Sequence, residues 1–341
     1  MYMNEAVDWH MEYDYGVGII GVGKYIPHTK VDNKTIAKWS GVNEDDIVNK
    51  LGIESRYIVD SDEKASDMAT IACREALQCA GASSKDIGLI VGCHYTADYK
   101  VPAMACKVQA NLEAWDAGAY DLLANCTSFQ VGIANASERM YFDSGIKNSI
   151  VVGTALQSRY INWSDANTAM YCGDGAGAAV LGKVPKGYGV LSNEIISNGR
   201  VYDAVRLRGG GSSYIFSEEN INDGLGYLEM NGLEVWKQVI QWQPKVIKKS
   251  LNKIGLDVTD VDFFIFHQAN LNLIRYLMGK MKVGLDKTFV TVDKYGNTGD
   301  ASLAITLCEA VQKGLIKRDD IVVLSGVGAG FIFGSTVMRW Y

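Results

Sequence analysis

Ile254-Gly255-Leu256-Asp257-Val258-Thr259-Asp260-Val261-Asp262-Phe263-Phe264-Ile265 echoes Ala80-Gly81-Ala82-Ser83-Ser84-Lys85-Asp86-Ile87-Gly88-Leu89-Ile90-Val91. Each copy places a helix-ending glycine before a short polar turn and then a buried apolar run. Carried forward at the same offset, Cys126 falls opposite Asp300, and the apolar run 150–153 is matched by the one at 321–326. Both copies close on a Gly/Ala-rich strand, 173–182 and 328–334. Self-similarity on this scale marks an internal duplication of a β/α unit. It predicts an arm at 1–15 and two pseudo-symmetric halves, 16–185 and 186–341, that meet near Gly182–Gly189. Apolar strands alternating with helices imply an α/β protein whose sheets are covered on their faces. In such sheets ligands gather where strand ends and loops converge.

The individual elements follow from local signals. Residues 16–25 predict a strand, and Gly18-Ile19-Ile20-Gly21-Val22-Gly23 within it only superficially resembles a dinucleotide fingerprint. Pro27 and a polar turn follow where that motif needs a helix. Short helices are expected at 33–39 and 43–51, the second capped by Asn43, and a longer one at 66–81. A strand at 87–93, a helix around 103–112 and a strand at 149–153 continue the pattern. The Gly173-Asp174-Gly175-Ala176-Gly177 turn lacks the lysine and the helix of a phosphate loop, so close backbone packing is its expected use.

Composition narrows the function. The 341 residues are 48% hydrophobic and carry a net charge of −6, which does not fit a nucleic-acid-binding face. The seven cysteines are odd in number and form no zinc-like Cys-x-x-Cys pair. Neither a signal-peptide pattern nor a membrane-length apolar run is present in the sequence, so a reducing, cytoplasmic setting is expected.

Three stretches carry candidate chemistry. In Tyr120-Asp121-Leu122-Leu123-Ala124-Asn125-Cys126-Thr127-Ser128-Phe129, an apolar run ends at Asn125. Cys126 then opens a helical segment with Phe129, Ile133 and Met140 on one face. Backbone N–H groups at a helix start favour a thiolate, although a lone cysteine is more often an inert core residue. Phe266-His267-Gln268-Ala269-Asn270 brings a histidine to a strand end, where a structural role is the ordinary one. Tyr295-Gly296-Asn297-Thr298-Gly299 offers an asparagine whose ordinary role is a turn or cap. A thiolate nucleophile needs a nearby base or positive field and its intermediate's oxyanion needs donors, so the three stretches together say more than each alone.

These stretches and the Gly173–Leu181 run resemble, in order and from about Gly16 to Tyr341, the β-ketoacyl-acyl-carrier-protein synthase III family of the thiolase superfamily. The resemblance implies a five-layered αβαβα fold, a homodimer and no cofactor beyond the CoA or carrier protein that bears the substrates. It also implies that Cys126 is acylated by a thioester, while His267 and Asn297 hold the carbonyl of a malonyl thioester as CO2 leaves. The oxyanion would sit on the backbone N–H groups of Cys126 and Ala329. A papain-type hydrolase shares the Cys/His/Asn set but not the duplicated scaffold. A degradative thiolase would carry a second cysteine in the last glycine loop, where Gly326-Val327-Gly328-Ala329-Gly330 has none. An acyltransferase to an oxygen, nitrogen or carbon acceptor, and a non-catalytic synthase subunit, remain alternatives.

Departures from the family pattern are informative. Asp46 and Lys50 stand where acyl-CoA-loading members place a Trp and an Arg; Ala166 and Asn272 replace two further arginines, and Leu233 replaces a pantetheine-binding Asn. These changes favour a donor arriving on acyl carrier protein, or a CoA bound in a different way; a carrier would dock on Lys237, Arg275, Lys280 and Lys282. Val327 replaces an aromatic residue, and Val101, beside Pro102, aligns with a residue that floors the acyl pocket across a dimer. With Leu233, Asn270 and Phe331, they outline an expected substrate pocket, roomier than a short-chain primer needs. A role in fatty-acid or, given these departures, rather in specialised polyketide-type biosynthesis is therefore expected, with no metal.

Overall fold

The computed structural model describes residues 13–341, so 1–12 of the expected arm lie outside the described residues. Tyr15, assigned to that arm from sequence, instead begins strand β1 (Tyr15–Tyr25). The chain continues through β2 (Thr29–Asp32), α1 (Asn33–Ser40), α2 (Glu44–Leu51) and β3 (Ser55–Ile58). Asp32 and Asn43 cap the two helices by accepting the N–H groups of Thr35 and Asp45, and left-handed Gly41 and Gly52 stop them. Then come α3 (Ala65–Ala80), β4 (Ile87–Cys93), α4 (Met104–Leu112), β5 (Gly118–Leu122), α5 (Ser128–Phe142), β6 (Asn148–Ala155), α6 (Ala166–Ala169) and β7 (Gly175–Pro185).

A second series begins at once with β8 (Gly189–Ser197), β9 (Val205–Leu207), β10 (Leu228–Met230), α7 (Gly232–Asn252) and β11 (Phe263–Phe266). It ends with α8 (Leu271–Met281), α9 (Val292–Tyr295), α10 (Ser302–Gln312), β12 (Ile321–Gly328) and β13 (Ile332–Arg339). Beside the two-stranded pairs β2-β3 and β9-β10 there are two larger sheets, one with the order β1-β7-β6-β4-β5 and the other β8-β13-β12-β11. Parallel pairing at the centre (β4 with β6, β11 with β12) and antiparallel pairing toward β1 or β8 recur in both. Where β5 has no counterpart, a single bridge between Phe264 and Thr288 extends the second sheet.

Alternation of side chains along the strands builds the layers. On one face of the first sheet, Ile90, Ile150 and Val152 pack under α3 and α4. On the other face, Val91 and Val151 meet Phe129, Ile133 and Met140 of α5 and Leu303 and Leu307 of α10. That same central layer packs Ile265 and Leu324 of the second sheet, whose outer residues Phe264, Val323 and Val337 lie under α7 and α8. The result is the thiolase-type αβαβα order. Phe129, Ile133 and Met140 are fully buried, so the helical face expected after Cys126 is the core-facing one.

The glycines of β1 serve helix packing. A Cβ on Gly23 would lie 2.3 Å from the Ala72 carbonyl oxygen, and one on Gly21 2.4 Å from that of Ala76. Helix α3 thus rests on the strand itself, and the fingerprint-like spacing has a steric origin.

Candidate active site

Three-residue 3-10 turns, Asn125–Thr127 and Gly299–Ala301, lead into α5 and α10, with Cys126 and Asp300 at their centres. The duplication therefore sets the cysteine and its acidic counterpart at equivalent points of the central layer. Asn125 takes a left-handed conformation (φ 51°), which asparagine tolerates better than most residues. Its Nδ2 donates to the Ala329 carbonyl at 3.0 Å, and the Ser128 hydroxyl accepts the Ala124 N–H at 2.8 Å. A Cβ on Gly328 would come within 2.1 Å of the Ala124 carbonyl oxygen. Only glycine lets the loop 328–330 close over the cysteine turn.

Cys126 is a free thiol, and the structure does not make it a resting thiolate. Burial pushes its pKa up, and the nearby Asp300 carboxylate adds to that, against a smaller opposing contribution from its own backbone N–H. The helix-start stabilisation expected from sequence is outweighed by desolvation. Asp300 is fully buried, and burial raises it to about 6 against smaller pulls from His94 and the Ser128 hydroxyl.

His267 follows β11, and its N–H extends the ladder to the Ser325 carbonyl at 3.1 Å. Burial lowers its pKa to about 4, so the imidazole is neutral at pH 7. Nδ1 lies 2.6 Å from the hydroxyl of buried Ser302, which also receives the Gln268 N–H at 3.4 Å. Nδ1 is the one acceptor that the buried hydroxyl proton has among the described residues, so the hydroxyl is assigned as donor to Nδ1; this places the ring proton on Nε2.

Asn297 belongs to neither a regular strand nor a helix. It lies between α9 and the 3-10 turn, in a parallel bridge with Cys172. Its N–H donates to the Tyr171 carbonyl at 2.7 Å, and its carbonyl accepts the Gly173 N–H at 2.9 Å and a bond from Gln157 Nε2. The side-chain Oδ1 accepts the Gly299 N–H at 2.8 Å, which turns Nδ2, a pure donor, away from that contact. The Gly173-Asp174-Gly175 turn has a supporting part. Asp174 Oδ1 and Oδ2 accept the N–H groups of Ser158 and Val59 at 2.9 and 3.0 Å, anchoring the segment that holds Asn297.

Cys126, His267 and Asn297 line one cavity of about 150 Å³. Asn270, Val327, Ala329 and Phe331 line it as well; Asn270 also caps α8 through the N–H groups of Asn272 and Leu273. Leu233 does not line it: at the first turn of α7 it is 67% exposed, and Val235, Trp236 and Val239 face the cavity instead. Val101 is 82% exposed and lies outside the cavity. Sequence reasoning missed the α7 and α8 walls, although Val235, Val239 and Gln243 recur at the i, i+4, i+8 spacing of one helix face.

The positions that depart from the family pattern are used within the fold. Lys50 pairs with Asp46 at 3.0 Å, and Asn272 Nδ2 donates to the carbonyls of Asn49 and Lys50 at 2.9 and 3.0 Å. Ala166 starts α6. Of the basic candidates on α7 and α8, Lys237 and Lys282 are exposed, with Lys237 only 3.9 Å from Glu234, and Arg275 reaches Asn272 Oδ1 at 3.4 Å. Lys280 donates to the Ile240 carbonyl at 2.7 Å. Pro244 deprives that carbonyl of its helical partner, so the lysine repairs α7. Among the described residues no group of metal-binding side chains is present, and no helix is long and apolar enough to cross a membrane.

Known proteins similar to this chain fall in one family. Residues 120–199 match the model of 3-oxoacyl-[acyl-carrier-protein] synthase III, and residues 251–340 match that of its C-terminal part. The β-ketoacyl-[acyl-carrier-protein] synthase III of Caldanaerobacter subterraneus is 37% identical over 324 residues, 95% of this chain and 97% of the relative. The crystal structure of the Aquifex aeolicus 3-oxoacyl-[acyl-carrier-protein] synthase III superposes with a TM-score of 0.87 at 30% identity, covering 95% of this chain and all of that one. The priming β-ketosynthase of the R1128 polyketide pathway gives 0.88 at 26% identity, with 98% of each chain covered.

Proposed function

The chain belongs to the 3-oxoacyl-[acyl-carrier-protein] synthase III family, and on that premise we propose that it is an acyltransferase performing decarboxylative Claisen condensation through an acyl-enzyme on Cys126. The observation that carries this reading is the pair of fixed, neutral donors facing one cavity. Ser302 sets His267 with Nε2–H outward, and Gly299 sets Asn297 with Nδ2–H outward.

In the first half-reaction Cys126 Sγ attacks the acyl thioester carbonyl. The carrier thiol leaves with the proton the cysteine gives up, and the tetrahedral oxyanion sits on the N–H groups of Cys126 and Ala329. A malonyl-type thioester then enters, its carbonyl oxygen held by His267 Nε2–H and Asn297 Nδ2–H. As the C–C bond to the carboxylate breaks, CO2 leaves and the electron pair becomes an enolate on that oxygen. The enolate carbon attacks the acyl-enzyme carbonyl, and Cys126 Sγ departs as a thiolate that takes a proton from solvent. A neutral histidine suits this step, because a charged one would need a desolvated cation at rest.

The two halves, 16–185 and 186–341, then divide the work: the first supplies the nucleophile and the second both donors. A homodimer would bring the partner's copy of the exposed Val101–Pro102 turn to the acyl pocket. Carrier-borne donors would dock on the α7–α8 face at Lys237, Arg275 and Lys282. The open Val327 position and the internally used Asn272 favour a specialised, polyketide-type substrate over a simple CoA primer. The test is CO2 release from a malonyl thioester by wild type and Asn297→Ala. Loss of at least about 100-fold on substitution is expected. Acyl transfer without any CO2 release would instead assign a plain acyltransferase.

A further inference from the structure

The cavity extends past the reacting groups, between α7 and α8, where Trp236, Val239, Ile274 and Leu277 wall it. On this otherwise apolar branch it is also lined by Gln243 and Ser325. Gln243 is only 2% exposed, and it occupies the α7 face shared by Val235 and Val239, where an apolar side chain would fit the surroundings. Its Nε2 donates to Ser325 Oγ at 2.7 Å, and the buried Ser325 hydroxyl donates onward to the Gly334 carbonyl at 2.8 Å. With its one proton committed, Ser325 can only accept, so the amide cannot be flipped. Gln243 Oε1 is thereby left as a buried acceptor with no hydrogen-bond partner. Such a group is disfavoured unless a ligand or water supplies a donor. Ser325 pairs with Phe266 in the sheet, one residue before His267, so this acceptor stands close to the reacting centre.

We propose that Gln243 reads a hydrogen-bond donor, a hydroxyl or an amide N–H, carried on the acyl chain that Cys126 accepts. The enzyme would then select polar-substituted acyl groups over plain alkyl ones of the same length. This inference rests on the acyl-enzyme reading above. A site built around a buried acceptor discriminates against a substrate lacking the donor, because the acceptor is then buried unpaired.

The test uses N-acetylcysteamine thioesters in matched pairs: unbranched chains of four to eight carbons, each with and without one hydroxyl placed at successive positions. Rates of Cys126 acylation are followed by intact-protein mass spectrometry for wild type, Gln243→Leu and Gln243→Leu/Ser325→Ala. Wild type is expected to favour at least one hydroxylated chain by about tenfold or more over its alkyl partner. Gln243→Leu should abolish or reverse that preference while still acylating with the alkyl chain. Three results would overturn the proposal: no preference at any position in wild type, a preference unchanged in Gln243→Leu, or a uniform slowing of every thioester, which would put the amide on the arm common to them all. Should both variants fail to fold, the wild-type series alone decides. Absence of any adduct with any donor would remove the acyl-enzyme premise, and the proposal with it.

Discussion

Replacing Ser302 with alanine separates the two halves of the proposed reaction. The serine does not line the cavity; it holds His267 Nδ1 at 2.6 Å and is fully buried. Without it, no hydroxyl proton fixes the tautomer, and the Nδ1–H form, which points a lone pair rather than a proton at the enolate, becomes populated. The lost buried hydrogen bond corresponds to about 1–2 kcal/mol, or roughly five- to thirty-fold in rate. That loss should fall on malonyl-thioester decarboxylation, measured as CO2 release. Acylation of Cys126, measured by intact mass without extender, should change less than about twofold. An equal fall in both steps would show that Ser302 acts through the fold and refute the tautomer assignment. Unchanged decarboxylation would show that the Nε2 proton does not matter.

Other expectations follow from the buried ionisable groups and the α7–α8 face. Burial raises Asp300 to about 6, so the folded protein binds its proton more tightly than the unfolded chain, and stability is lost as pH rises from about 4 to 6. Asp300→Asn should therefore raise the melting temperature at pH 7, by a gain of about 1–3 kcal/mol, and should quicken iodoacetamide labelling of Cys126 by removing a charge that raises the thiol pKa. A lower melting temperature with unchanged labelling would contradict this. His267 at about 4 is already neutral through the physiological range, so the decarboxylation rate should stay level from pH 8 to about 5 and fall only toward 4. A midpoint near 6.5 would mean that the histidine is solvated and titrates normally. Reversing Lys237, Arg275 and Lys282 together to glutamate should slow loading from acyl carrier protein at least about tenfold in low salt and leave N-acetylcysteamine loading unchanged. Equal effects on both donors would remove the docking role.

The duplication was legible because it depends only on spacing, and Cys126 and Asp300, which it set opposite each other, both lie at the centre of a 3-10 turn that leads into a helix. The caps at Asn43 and the stop at Gly81 were legible because they are local. What the sequence concealed were outcomes of tertiary packing. Leu233 points outward because α7 is rotated so that Val235 and Val239 face the cavity. Lys280 belongs to the Ile240 carbonyl only because α8 lies against the helix that Pro244 interrupts. Ser302 and Gly299 gave no signal, since a serine or a backbone N–H becomes a positioning group only by its place relative to His267 and Asn297. The expected thiolate failed for the same reason: helix-start stabilisation is local, but desolvation and the Asp300 charge come from the assembled core.

The acyl-enzyme is tested most directly by mass. Wild type and Cys126→Ala are each incubated with a panel of acyl-CoA and acyl-carrier-protein thioesters, without extender, and the intact protein is weighed. A gain of one acyl group in wild type alone is expected, larger or faster from carrier-borne donors. A gain that persists in Cys126→Ala, or no gain in wild type from any donor, would contradict a cysteine-bound intermediate.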